Sequence, residues 1–143
     1  ETRITVDELI SQNYTIILGE SMLGERIDID VENVKIIRDY PNSMYFKAFD
    51  ISVQAGGYNS FHEARRFSLP TIFYPNMNTG MDDQLARCLV SESEGWGVVV
   101  KERNRKSIAT GIQLVEKLNV ERNSQMNGAL ELAKKIVSME EQS

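Results

Sequence analysis

The sequence predicts an α/β domain in which helices cover both faces of a parallel β-sheet. Two observations support this fold class. Short segments that are apolar throughout alternate with longer segments whose apolar residues recur at helical spacing, which is the pattern of strands buried between helices. No linker, internal repeat or low-complexity stretch interrupts the 143 residues, a length that suffices for one domain with a sizeable core.

Strands and helices are predicted in alternation. The strands are "YTIILG", "ENVKIIRDY", "DISVQ", "PTIFYP" and "WGVVVKE", and the helices are "TVDELISQN", "SMYFKAF", "SFHEARRF", "DDQLARCLVSESE", "RKSIATGIQLVEKL" and "SQMNGALELAKKIVSM". Helical spacing places these apolar side chains on one face of each helix, with Phe61, Ala64 and Phe67 inward: Val6, Leu9 and Ile10; Phe61, Ala64 and Phe67; Leu85, Cys88 and Leu89; Ile108, Ile112, Val115 and Leu118; Met126, Leu130, Ala133 and Val137. Capping boxes are expected at Thr5–Glu8 and Ser60–Glu63.

Composition excludes several classes of function. Sixteen basic and twenty-one acidic residues give a net charge of -5, which argues against a general nucleic-acid or anionic-membrane surface. The single cysteine, Cys88, cannot form an internal disulfide or a CxxC-type metal site, and it fits a reducing compartment. No apolar run approaches the roughly 20 residues that span a bilayer. We therefore expect a cytoplasmic protein without a nucleic-acid partner.

Four predicted loops share one edge of the sheet. They are "RDYPN", "QAGGYNS", "YPNMNTGMDDQ" and "VVKERN", and each follows a predicted strand. In open parallel sheets ligands bind outside the carboxyl ends of the strands. The functional residues are therefore expected in these loops.

A glycine pair, Gly56–Gly57, stands where the third strand meets the next helix. The following amides, of Tyr58, Asn59 and Ser60, lie at a helix start, where unpaired N–H groups and the positive end of the helix dipole attract anions. The same pair suits a tight turn, with Asn59 or Ser60 capping the helix. Taken alone, the pair favours the turn.

Acidic residues follow the glycine pair on the same predicted edge. Glu63 completes an S-x-x-E capping box, or accepts hydrogen bonds from vicinal hydroxyls of a ribose. Asp83 and Gln84 begin the next helix and suit either a helix cap or a polyhydroxylated ligand. His62 is assigned to packing or to the surface, because no nucleophile–base pair is visible near it. Trp96 is expected in the core.

Taken together, "DISVQAGGYNSFHEARRFSLPTIFYPN…MDDQLARC" resembles the C-terminal, donor-binding domain of GT-B-fold glycosyltransferases. The nearest resemblance is to family 28, whose bacterial enzyme adds N-acetylglucosamine to the lipid-linked peptidoglycan precursor. The shared order is a strand, a glycine turn, small polar residues, a helix with Glu, a turn that ends in proline (Ser68–Leu69–Pro70), an apolar strand and a "DQ" pair. This order of motifs extends over roughly Val34 to Val100. The resemblance implies a Rossmann-like fold.

The resemblance implies roles for individual residues. The donor diphosphate would face Gly56, Gly57, Tyr58, Asn59 and Ser60, and the ribose would face Glu63. The donor sugar would face Asp83 and Gln84, and the nucleobase would face Arg38, Asp39 and Tyr40. No metal ion or other cofactor is expected, because the helix dipole and backbone amides could stabilise the departing diphosphate and no acidic cluster here looks like a Mg²⁺ site. The chain departs from the family pattern at Gln54, where many relatives carry His or Arg, and in "GGYNS", which replaces "AGSGT" and introduces the bulky Tyr58.

Parts of the family's architecture lie outside this sequence. The absent parts are the opening strand of the domain, which is central in the order 3-2-1-4-5-6, a second glycine-rich loop, and the N-terminal domain with the acceptor site and general base. We therefore expect residues 1–143 to form one nucleotide-sugar-binding domain of a longer two-domain enzyme, and we expect this domain to be inactive alone. Alternatively, the chain is a donor-binding half that needs a partner chain. The missing part could attach the protein peripherally to a membrane.

The resulting hypothesis is inverting transfer of a sugar from a UDP-linked donor to a hydroxyl acceptor, which is lipid-linked in the family 28 case. Two alternatives remain. One is a non-catalytic nucleotide-sugar-binding subunit that needs a partner chain. The other is a domain of a sugar-nucleotide 2-epimerase, which shares the fold and would need acid and base groups on both domains.

Overall fold

Helices and strands alternate along the chain as predicted. The computed structural model describes residues 2–20, 26, 29–78, 80, 82–121 and 128–140. The elements are α1 (Thr2–Ser11), β1 (Ile16–Gly19), β2 (Val34–Ile37), a 3₁₀ helix (Asn42–Ala48), β3 (Ser52–Gln54), α2 (Tyr58–Arg66), β4 (Thr71–Phe73), α3 (Gln84–Ser93), β5 (Gly97–Val99), α4 (Arg105–Val115) and α5 (Gly128–Glu140). The predicted α/β fold class is confirmed.

The strands are parallel, but they form two separate ladders. Strand β1 pairs with β2, with Ile16 opposite Val34. Strands β3, β4 and β5 form a second ladder with β4 in the middle. Among the described residues β1 and β3 are not hydrogen-bonded to each other. The break falls where the order 3-2-1-4-5-6 places the strand that we expect to be absent.

Two apolar clusters cover the two faces of the β3–β4–β5 ladder. One joins α1 and α4 to the strands and contains Ile16, Ile72 and Ile112. The other, on the side of α2 and α3, contains Phe73 and Trp96. Neighbouring residues of β4 therefore enter opposite clusters, because side chains alternate across a strand. The strands are apolar throughout because both of their faces are covered. Trp96 lies in the core, as predicted.

The predicted capping box at Thr5–Glu8 is wrong. Helix α1 begins at Thr2, so Thr5 lies inside the helix and has no free amide of a first turn to cap. Glu8 instead lies nearly buried, accepts a hydrogen bond from Gln12 Nε2 at 3.0 Å, and pairs with Arg105 Nε of α4 at 3.4 Å. Its carboxylate therefore links α1 to α4.

The apolar face of α3 is only partly buried. Cys88 is fully buried, whereas Leu89 is exposed and Ser91 is fully buried in its place. The reason is the close approach of α3 to β5, where a Cβ on Gly97 would overlap Ser91 Oγ. The small hydroxyl fits there because it donates to the Cys88 carbonyl at 2.6 Å.

Apolar side chains of helix α5 are exposed. They include Leu132, Ala133, Ile136 and Val137. Met126 and the side chain of Leu130 lie outside the described residues. Helical periodicity indicates an apolar face, but it does not show whether another element covers that face.

Candidate functional site

The two glycines between β3 and α2 have different structural roles. Gly56 has φ +82°, and a Cβ there would overlap Cys88 Sγ and stand 3.3 Å from the Phe73 ring. Gly57 has φ −56° and ψ 153°, which any residue can adopt, and no atom of the described residues lies within 4 Å of the position that a Cβ would take there. The fold therefore requires Gly56 but leaves Gly57 open.

The first turn of α2 has no side-chain cap. Its first helical hydrogen bond runs from the Phe61 amide to the Gly57 carbonyl at 2.9 Å. The amides of Tyr58, Asn59 and Ser60 precede that bond and have no acceptor within the described part of the chain. The prediction that Asn59 or Ser60 caps the helix is wrong, because the helix begins at Tyr58 and Gly57 occupies the capping position. Unpaired amides beside an open glycine form a surface suited to an anion.

Glu63 lies half-buried on α2, one turn after Asn59 and Ser60. Residues three and four apart share a helix face, so these three polar side chains lie on one side of α2. The predicted capping box with Ser60 does not form, because Ser60 is already inside the helix. Within the described ranges the Glu63 carboxylate has no hydrogen-bond or ion-pair partner.

Arg87 connects the glycine turn to the start of α3. Its Nη1 donates to the Gly56 carbonyl at 2.8 Å, its Nη2 pairs with the Asp82 carboxylate, and its guanidinium carbon lies 5.5 Å from the centroid of the Tyr58 ring. The hydrogen bond from Arg87 is the main reason that the pKa of Asp82 is lowered. Arg87 thus contacts residues on both sides of Gly57.

The "DQ" pair has structural partners of its own. Asp83 caps α3 by accepting from the Ala86 amide at 2.9 Å. Gln84 Oε1 accepts from the Asn76 amide at 2.9 Å, and its Nε2 donates to Asp82 at 3.3 Å. Gln84 therefore ties the loop after β4 to the beginning of α3, and the pair reaches the glycine turn through Asp82 and Arg87.

The predicted nucleobase loop follows β2 and has different neighbours. Arg38 Nε lies 2.6 Å from the buried carboxylate of Glu20, and the Tyr40 hydroxyl donates to the Glu20 carbonyl. Asp39 accepts from the Tyr45 hydroxyl at 2.6 Å. Through these contacts the loop is held to the end of β1 rather than to the glycine turn.

His62 and Cys88 carry no sign of catalysis. His62 is exposed, and its ring lies 4.4 Å from that of Tyr58 and 5.3 Å from that of Phe61, in agreement with an assignment to surface or packing. Cys88 is fully buried, and burial raises the pKa of its thiol to about 11. A thiol with that pKa is not a nucleophile near neutral pH.

The glycine turn does not line either of two cavities formed by described residues. One cavity lies beside Trp96 and Asn119, and the other lies between β5 and α4. No group of three or more His, Cys, Asp or Glu side chains in the described ranges could hold a metal ion. Among the helices that the structure describes, none has the length and apolar character needed to cross a bilayer.

Sequence reasoning missed Arg87. A signal was present, since an acid four residues before an arginine is typical of an ion pair on one helix face. That rule pairs Arg87 with Asp83, whereas the observed partner is Asp82 because Asp83 caps the helix. The contact with the Gly56 carbonyl is a tertiary one between residues 31 positions apart, and no local pattern predicts it.

Comparison with solved structures identifies the fold class. The chain is similar to spinosyn forosaminyltransferase SpnP, with a TM-score of 0.67 and 13% identity over 81% of this chain and 30% of that protein. It is equally similar to a glycotransferase of kitacinnamycin, with a TM-score of 0.67 and 14% identity over the same shares. The parallel strands flanked by helices therefore match a part of GT-B glycosyltransferases.

Comparison with curated sequences points to the same class. The chain is 32% identical over 89 residues to an uncharacterized glycosyltransferase of Methanosarcina acetivorans, which corresponds to 59% of this chain and 22% of the relative. No protein-family model matches the chain. The chain thus spans between a fifth and a third of the length of the proteins that it resembles.

Proposed function

We propose that this chain is the donor-binding part of a glycosyltransferase and that it binds a UDP-linked sugar for inverting transfer to a hydroxyl acceptor. The observation that carries the proposal is the open turn at Gly57. There no described atom lies within 4 Å of the position that a Cβ on Gly57 would take, and the amides of Tyr58 to Ser60 are uncapped by any described side chain. Similarity to glycosyltransferases in sequence and fold supports a nucleotide diphosphate as the anion.

Each residue of the proposed site has one role. The backbone of Gly56 to Ser60 binds the diphosphate, Glu63 accepts hydrogen bonds from the ribose, and Asp83 with Gln84 contacts the donor sugar. The loop of Arg38, Asp39 and Tyr40 contacts the nucleobase. Asp83 and Gln84 each use one side-chain oxygen in their observed hydrogen bonds, and a carboxylate or amide oxygen has further acceptor capacity for sugar hydroxyls.

The proposed reaction is a single displacement. The acceptor oxygen bonds to the anomeric carbon on the face opposite the diphosphate, the bond from that carbon to the diphosphate oxygen breaks, and the acceptor proton passes to a general base outside this chain. The positive end of α2 stabilises the negative charge of the leaving diphosphate. The proposed mechanism needs no metal ion or other cofactor. Within the glycosyltransferases, the motif order favours the family 28 N-acetylglucosaminyltransferases, whose acceptor is lipid-linked.

The open site predicts how the chain behaves alone. A site on one surface encloses little of its ligand, whereas typical small-molecule sites enclose most of it. The chain alone is therefore expected to bind UDP weakly and to transfer no sugar. Amide shifts in a nuclear magnetic resonance titration with UDP should map to Gly57 through Glu63. Their absence would contradict the proposal.

Glu63→Ala is expected to lower the affinity for UDP by about 10-fold or more, because a hydrogen bond to a charged group contributes about 1.5–3 kcal/mol. The melting temperature should change little, because the Glu63 carboxylate has no partner among the described residues. Titration of the wild type and the variant with UDP measures the change in affinity.

The 2′-deoxy analogue of UDP provides the matched control. The wild type should bind UDP more tightly than the deoxy analogue, and Glu63→Ala should bind both alike, since the carboxylate that distinguishes them is gone. If the wild type and Glu63→Ala prefer UDP over the deoxy analogue to the same degree, another residue binds the ribose. A large drop in melting temperature with unchanged affinity would show that Glu63 has a structural role.

A second candidate function is a nucleotide-sugar-binding subunit that acts only with a partner chain. The break between β1 and β3 favours it, because each of the two strands has an edge that lacks a neighbour among the described strands, and such edges accept a strand from another polypeptide. Sugar transfer that appears only on mixing with a second chain would support this alternative. Transfer by a single longer polypeptide would support the first.

A further inference from the structure

Arg87 lies at the point where the proposed diphosphate site meets the start of α3. Its guanidinium donates to the Gly56 carbonyl at 2.8 Å and packs against the Tyr58 ring. These two residues flank Gly57, so the positive charge lies beside the open turn. The Arg87 side chain is 19% exposed, which leaves it accessible from the surface of the site.

We propose that Arg87 binds the donor diphosphate directly, and that Asp82 holds the Arg87 side chain in place until the donor arrives. This inference rests on the proposed function. Arg87 has five N–H donors, and two of them are used, one on the Gly56 carbonyl and one on Asp82. The other three have no acceptor in the described ranges. A guanidinium with free donors matches the geometry of phosphate oxygens, which it can bind in pairs.

The Asp82–Arg87 pair can give way to a ligand. The Asp82 side chain is 37% exposed, and an ion pair at such a position contributes only about 0–1 kcal/mol to stability. A diphosphate carries more negative charge than one carboxylate and attracts the guanidinium more strongly. The Gly56 carbonyl and the Tyr58 ring would keep Arg87 near the turn during the exchange, since neither contact involves Asp82.

A purely structural role is the alternative. In that case Arg87 would only hold the turn to α3, and its loss would weaken UDP binding by displacing the amides of Tyr58 to Ser60. Asp82→Asn separates the two roles. A direct contact gains affinity for UDP when the competing carboxylate is removed, whereas a structural Arg87 would lose one of its anchors and UDP would bind no better. Uridine, which has no phosphate, reports changes in the rest of the site.

The test compares UDP with uridine in the wild type, Arg87→Gln, Arg87→Lys and Asp82→Asn, by titration at low ionic strength. The ratio of UDP to uridine affinity should fall roughly 10-fold or more in Arg87→Gln, as expected for a lost hydrogen bond to a charged group. It should fall less in Arg87→Lys, which keeps the charge but not the fork of donors. It should rise by about 3-fold in Asp82→Asn, because the competing carboxylate is gone.

The ratio in Asp82→Asn decides between the two roles. An equal loss for UDP and uridine in Arg87→Gln, or an unchanged or lower ratio in Asp82→Asn, would overturn the inference and leave the proposed function standing. A wild type that binds neither ligand would overturn both. Asp82→Asn changes a partly exposed side chain, so it keeps the test decisive if Arg87→Gln fails to fold.

Discussion

Gly56→Ala is expected to lower the free energy of unfolding by about 2–5 kcal/mol. At φ +82° a residue with a Cβ costs about 1–2 kcal/mol more than glycine, and excess volume in a packed core costs about 1–3 kcal/mol. The added methyl would overlap the fully buried Cys88 Sγ. Urea denaturation followed by circular dichroism measures the loss.

The double variant Gly56→Ala/Cys88→Ala separates the two causes. Removing the sulfur relieves the overlap with the new methyl but not the strain at positive φ. The double variant should therefore lose less stability than the sum of the two single variants, with a coupling energy of about 1 kcal/mol or more. An unfolding free energy that is unchanged in Gly56→Ala would show that the turn does not have this backbone conformation.

Gly57→Asp is expected to weaken UDP binding strongly and to raise the free energy of unfolding. Gly57 caps α2 with unstrained backbone angles and open space at its Cβ. An aspartate there can accept from the free amides and interact with the helix dipole, which together stabilise by about 0.5–1 kcal/mol. The same carboxylate would occupy the proposed diphosphate site and repel its charge, so the affinity should fall about 100-fold or more. Thermal melting and titration with UDP measure the two effects.

Gly57→Asn is the matched control, because asparagine has the same size and caps helices equally well. It should stabilise α2 similarly and lower the affinity less than aspartate does, since it blocks the amides without adding a negative charge. The difference between the two variants measures the electrostatic part of diphosphate binding. Wild-type affinity in Gly57→Asp would place the ligand elsewhere.

The candidate site shows where local patterns were sufficient and where they failed. The glycine turn, its position after β3 and the acidic start of α3 were predicted, because turn residues and caps follow from sequence neighbours. The first residue of α2 was predicted two positions late. Ser60 and Glu63 match a capping box, but hydrogen bonds extend the helix back to Tyr58 and place Ser60 inside it. A sequence match to a capping motif does not specify which residue is the cap.

Several features depended on contacts between distant parts of the chain. Leu89 is exposed and Ser91 buried because Gly97 brings α3 close to β5. Arg87 reaches the Gly56 carbonyl across the turn. Ala133 and Val137 of α5 are exposed although the helix is amphipathic. In each case the deciding partner lies outside the segment, so periodicity within the segment cannot identify it.

By itself, the sequence determined the alternation of strands and helices, the parallel arrangement, the two-sided burial of β4 and the edge of the sheet that carries the polar loops. These follow from hydrophobic period and turn chemistry, which are local properties. Only the tertiary structure decided that Gly56 serves the fold while Gly57 is left open, and that Arg87 lies beside it. Those features arise where side chains from separate segments meet in space.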